Sequence, residues 1–250
     1  MNPFVRERAA SESHAVARLL RDCVAVDEAA VELLDSAAGS TPVDDDLLRS
    51  AAARDIRLQA EKVVMLLRGM DHKGLLARQG LFARLTGADL EARLRFELAG
   101  QTVDQAMRAM RQAAQNGRRI VALLGDARIQ LAEEQERLEA VVPAAKVLLA
   151  ERAGSSDGHS VARFERRLSN IMAMHAANIL ADRQIVLARD VLVGLLDRIT
   201  DVETVIMPLW QRQMLALAHA AAGPPQRDAA LHFGRIHDAA LVKLAEVERA

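Results

Sequence analysis

Three observations predict an all-α protein. Counted in alternating steps of three and four, Val103, Ala106, Met110, Ala113, Gly117, Ile120, Leu124, Ala127, Leu131, Glu134, Leu138, Val141, Ala145 and Leu148 form one stripe, which only Gly117 and Glu134 break. A repeat sustained over that length sets one face of a helix against a partner helix throughout. Hydrophobic residues make up 51% of the 250, while 13 Gly and 6 Pro leave few points at which turns punctuate the chain. The dominant residues, alanine, leucine and arginine, are strong helix formers. The expected architecture is an elongated helical bundle built on a long antiparallel coiled-coil hairpin, with shorter N- and C-terminal helices packed on it. Residues 1–250 are expected to form a single all-helical unit, with shorter helices over 10–100, the hairpin over 101–222 and a last helix over 225–250.

The first helix is expected to start near Ser11 or Ser13 and to end before Gly39, with Val16, Leu19, Cys23, Val26, Ala30 and Leu33 as its apolar stripe. Thr41-Pro42 then reads as an N-cap followed by proline at the first helical position, and that helix continues to about Met70. Asp44, Asp45 and Asp46 fall in its first turn, where the helix dipole favours negative charge, so they need no metal. Gly74, Gly80, Gly87 and Gly100 divide the next stretch into short helices, about Leu75–Leu85 and Asp89–Leu98.

Two long helices follow. One runs from about Thr102 to Ala153, with a kink expected at Pro143, where the ring removes a donor and crowds the preceding turn. Gly154-Ser155-Ser156-Asp157-Gly158 is the turn, and the second long helix extends from about Ser160 to Ala222 with a similar kink at Pro208. If they pair as a hairpin about Ser156-Asp157, facing residue numbers sum to about 313. Ile120 is then expected near Val193, Val141 near Met172, and Trp210 opposite Val103. Doubled apolar positions such as Leu195-Leu196 and Val205-Ile206 widen the second stripe beyond a two-helix seam. Gly223-Pro224-Pro225 ends it, and a final helix covers about Arg227–Glu248.

Chemistry is sparse. The formal net charge is -1, which gives no general attraction to nucleic acid or anionic lipid. Five Phe, one Trp and no Tyr leave no base-stacking platform. The single cysteine, Cys23, excludes an internal disulfide, suits a reducing compartment and reads as a small core residue. The stretches free of charge, Leu168–Ala181 and Gln213–Gln226, fall short of the ~20 residues needed to span a bilayer. The N-terminus lacks the apolar core of a signal peptide, and the expected location is cytoplasmic.

Seven histidines invite a metal search, but none belongs to an HExxH pair and no Glu lies three residues before a His. His232 and His237 are five apart and point to different helix faces, and His175 reads as an interior or boundary residue. Met172, Met174, Met207 and Met214 read as core filler rather than as a thioether site. No GxSxG context exists for a nucleophile. No catalytic, metal or cofactor site is therefore expected, and the chain reads as non-enzymatic. Arg163, Arg166 and Arg167 form a candidate basic patch beside the Gly-rich turn.

The most distinctive segment is Pro208-Leu209-Trp210-Gln211-Arg212-Gln213-Met214, which holds the lone tryptophan two residues after an interior proline. It resembles the Pro-Leu-Trp-x-x-Gln signature of the TelA family of toxic-anion (tellurite) resistance proteins. Phe164-Glu165-Arg166-Arg167-Leu168 is similar to the charged segment that opens that family's last long helical region, and Arg183-Gln184-Ile185-Val186-Leu187 resembles its Gln-Ile-x-Leu element. The three blocks occur in order and cover about Val161–Leu217, while residues 1–70 show no resemblance. The resemblance implies a stress-response protein associated with tellurite resistance and brings no catalytic residue set with it. Gln184, Pro208, Leu209, Trp210 and Gln213 become the candidate family-motif and partner contacts.

The leading expectation is a cytoplasmic, non-enzymatic protein acting through a protein partner. The alternative is an elongated coiled-coil scaffold or a protein associated with the membrane surface. Self-association and peripheral membrane contact are both left open. Trp210 is expected to be buried at the base of the hairpin, in the company of Phe82 or Phe96, and to be structural before anything else.

Overall fold

The computed structural model describes residues 15–37, 47, 51–70, 88–220 and 224–249. All regular structure among them is helical and no strand occurs, so the molecule is an all-α helical bundle. In chain order the helices are α1 (residues 15–22), α2 (Glu28–Ala37), α3 (Ala52–Arg68), α4 (Ala88–Arg152), α5 (Gly158–Asp201), α6 (Met207–His219) and α7 (Pro224–Arg249). They gather into two compact units. One lies within Met1–Arg49 and Ala122–Arg189, the other within Ser50–Val121 and Asp190–Ala250. The N-cap expected at Thr41, the aspartates 44–46, the short helix 75–85 and Phe82 lie outside the described residues.

In the first unit, α4 and α5 run antiparallel. Arg128 Nε meets Asp182 Oδ1 at 2.8 Å, and His175 Nε2 lies 3.7 Å from Glu139 Oε1. Both pairs fall close to the sum expected for a turn at Ser156-Asp157. α1 and α2 lie on this pair, and Leu20, Val26, Val31 and Leu34 share a core with Leu138, Val141, Leu148, Phe164 and Ile171. Ile171 enters that core, whereas Met172 is exposed, a shift of one residue from the expected Val141 contact. The seam turns polar at the buried Glu134 and at His175 and Asn178, so the interruption at Glu134 lies at the contact between the helices.

In the second unit, the same antiparallel relation is fixed by Gln211 Nε2 donating to Asp104 Oδ1 at 2.7 Å and by Arg111 Nε, 3.9 Å from Glu203 Oε1. α7 packs against α3 and α6. Gly117, which breaks the apolar stripe on α4, is buried there. A Cβ on it would lie 3.1 Å from Ile56 Cδ1 and 3.5 Å from Leu196 Cδ2, so the missing side chain is what lets α3 and α5 approach α4.

Three expectations are corrected. The single helix expected before Gly39 is broken over residues 23–27. Asp27 Oδ1 accepts the Ala30 N–H at 3.0 Å and starts a new helix, while the Val26 N–H donates to Ser156 Oγ at 2.8 Å. The stripe shifts accordingly: Ala17 and Leu20 are buried and Leu19 is exposed. The break expected at Gly100 does not occur, since α4 begins at Ala88 and passes through it without interruption. A Cβ on Gly100 would lie 2.3 Å from Met214 Sδ, so this glycine serves a close helix–helix approach rather than a turn. The third concerns Pro208, where a π turn over Val202–Ile206 replaces a simple kink. Pro143 lies on the exposed side of α4, and the helix continues past it.

Candidate functional site

Pro208 has no N–H, so the carbonyl of Thr204 cannot receive its usual α-helical donor. The backbone answers with the π turn Val202–Ile206, and α6 starts afresh at Met207 with Pro208 in its first turn, where a missing donor costs little. Two hydroxyls serve the neighbouring carbonyls, Thr200 Oγ1 donating to Leu196 O at 2.8 Å and Thr204 Oγ1 to Thr200 O at 2.7 Å.

The π turn also sets the phase of the motif. Buried positions run Leu195, Ile199 and Val202, and then, after a longer step, Met207, Trp210, Met214 and Leu217. One extra residue rotates the following helix face by about 100°. That rotation brings Trp210 rather than Leu209 to the interior.

Trp210 is 0% exposed. Its Nε1–H donates to His237 Nδ1 at 3.1 Å, so the imidazole accepts on Nδ1 and the ring proton sits on Nε2. Phe233 lies 6.0 Å from the indole, 5.3 Å from the imidazole and 5.4 Å edge-on from Phe96, by ring centroids. Of the two companions expected for Trp210, Phe96 is present through Phe233. Sequence reasoning missed Phe233 and His237. A signal existed: Gln226, Ala230, Phe233, His237, Ala240, Leu244 and Val247 repeat in steps of four and three, and every one of them is buried. A histidine on such a stripe calls for a buried partner, and an indole N–H supplies one.

The rest of the motif faces outward or half outward. Pro208 is exposed, Leu209 is 40% exposed, Arg212 is exposed and Gln213 is half-buried. These residues belong to the second unit, as does Trp210. Gln184 is exposed on α5 and belongs to the first. The candidate basic patch is largely committed to ion pairs. Arg163 Nη1 meets Glu28 Oε2 at 2.6 Å and Arg167 Nε meets Asp35 Oδ1 at 2.7 Å, which fastens α2 to α5, while Arg166 is exposed. Exposed pairs of this kind contribute little each, about 0–1 kcal/mol.

Glu203, on the π turn, has its carboxyl pushed up by burial, against the opposing pull of Arg111 and Arg118. The Cys23 thiol is pushed up by burial and by Asp27 and Asp22, which keeps it protonated and weakly nucleophilic. Among the described residues no group of three His, Cys, Asp or Glu is placed to hold a metal, and no helix is long and apolar enough to cross a membrane. An open groove of about 560 Å³ in the second unit is lined by Arg198, Val242, Ala245, Glu246 and Arg249, with Arg198 donating to the Glu246 carbonyl at 3.0 Å.

Compared with known proteins, the chain is similar to Protein KlaA of Escherichia coli, with 26% identity over 180 residues that cover 69% of this chain and 70% of KlaA. No family model and no solved structure matches it.

Proposed function

We propose that this chain is a TelA-like protein of the toxic-anion (tellurite) resistance family and, within it, a non-enzymatic, cytoplasmic stress-response protein that acts through a protein partner; its similarity to Protein KlaA supports the family part of the reading. The observation that carries the reading is the division of labour inside the motif. Trp210 and Met214 turn inward and lock α6 against α4 and α7, while Pro208, Leu209 and Arg212 are held outward on a helix fixed in orientation by that anchor. An exposed leucine on a preorganised helix supplies apolar contact area at little cost in ordering.

Deletion of the gene, followed by growth on tellurite and on other envelope stresses, tests the reading. Sensitivity restored by the wild-type gene but not by a Leu209→Asp variant that keeps its helix content is the expected result. Unchanged growth under every stress would remove the resistance role. Turnover of tellurite by the purified protein would remove the non-enzymatic one.

A further inference from the structure

α5 is one uninterrupted helix, and its inner seam is buried at Leu168, Ile171, Ile185 and Leu192. Ala173, Ala177, Leu180, Gln184, Leu187 and Val191 repeat along the same helix in alternating steps of four and three, and all six are exposed. This second stripe lies roughly 150° around the helix from the inner one, the spacing of opposite faces in a heptad. A solvated helix face is normally polar. Here Leu187 is 67%, Leu180 59% and Val191 46% exposed.

We propose that this outer stripe is a self-association seam, closed by the same stripe of a second copy of the chain running antiparallel. Charge selects the occupant and the register. Arg183 and Asp190 sit seven residues apart on one edge of the stripe, and neither makes an ion pair or hydrogen bond to another described residue of its own chain. When Gln184 faces Leu187 of the second copy, Arg183 of each copy lies beside Asp190 of the other, twice by symmetry. The same register sets Leu180 against Val191 and Ala177 against Gly194, over which a Cβ would meet nothing within 4 Å. Moving the two-fold axis by one seam position instead brings Arg183 close to Arg183 of the second copy, which like charge opposes. Gln184 is the polar residue in the stripe, and a lone polar position in an apolar seam fixes register and orientation at a cost in affinity. The association expected is accordingly weak and concentration-dependent. It stands independently of the stress-response reading.

Sedimentation equilibrium of the full chain from about 1 to 200 µM tests it, because weak interfaces dissociate in the micromolar range. A monomer–dimer equilibrium is expected, with Leu187→Glu monomeric throughout and unchanged in circular dichroism, since that side chain faces solvent in the monomer. Arg183→Asp and Asp190→Arg are each expected to weaken the dimer about tenfold, and the double reversal to restore it. A monomeric wild type, a dimer indifferent to Leu187→Glu, or a double reversal that fails to restore association would overturn the proposal. So would a monomer that binds anionic vesicles through Leu187, which would assign the stripe to a lipid surface.

Discussion

At the scale of single residues, two side chains depend on each other most directly. Trp210 fills the interior of the second unit and satisfies His237, so its truncation opens a large cavity and strands a buried imidazole nitrogen. Trp210→Ala is expected to cost about 3–5 kcal/mol in urea unfolding; a loss below about 1 kcal/mol would remove the anchoring role given to the motif. Gly100 works by absence. A Cβ there would collide with the Met214 thioether, and the overpacking cost of about 1–3 kcal/mol is offset by the roughly 1 kcal/mol that alanine gains over glycine inside a helix, so Gly100→Ala is expected to destabilise by up to about 2 kcal/mol. Met214 is flexible, and in the Gly100→Ala/Met214→Ala pair the two losses are expected to be much less than additive. Strict additivity in a double-mutant cycle would show that the two sites do not touch.

Among the elements, the π turn is the one whose energetics can be titrated. Glu203 has its folded pKa raised by burial, so its ionised form is disfavoured in the native state relative to the unfolded chain. The penalty is fully present above the raised folded value. It is relieved as pH falls through that value toward the ordinary carboxyl value of 4.5. Glu203→Gln removes the charge at every pH. It is therefore expected to stabilise the protein at neutral pH, with the advantage over wild type shrinking to nothing below the ordinary value. Chemical denaturation of both proteins across that range is the measurement, and an advantage that grows as pH falls would contradict the assigned cause. The break between α1 and α2 has a different origin. The local cap at Asp27 starts α2, but the Val26 N–H is satisfied by Ser156, 130 residues away in sequence, a partner that no local pattern announces.

For the molecule as a whole, the described residues fall into two compact units, each with its own buried side chains. Leu34 belongs to one and Phe233 to the other, and both are fully buried. Leu34→Ala is expected to cost about 2–5 kcal/mol and Phe233→Ala about 3–5, because each leaves a cavity in a packed interior. Because the two residues lie in different units, the two losses are expected to add within about 0.5 kcal/mol. A coupling larger than that, read from the double variant, would mean that the units are not energetically separate.

The sequence by itself determined the helical class, the antiparallel pairing of the two long helices and the burial of Trp210. Those follow from periodicity and turn chemistry, which are local and repeat often enough to be counted: the stripe from Val103 to Leu148 has no exposed position. Only the tertiary structure decided the break at residues 23–27, the passage of α4 through Gly100, the five-residue π turn and the pairing of Trp210 with His237. Three of these turn on one atom meeting another far away in sequence, a serine hydroxyl, a methionine sulfur or an imidazole nitrogen, whereas the π turn is the local answer to the donor that Pro208 lacks. Periodicity states which face a residue occupies, but not what waits on the other side of it.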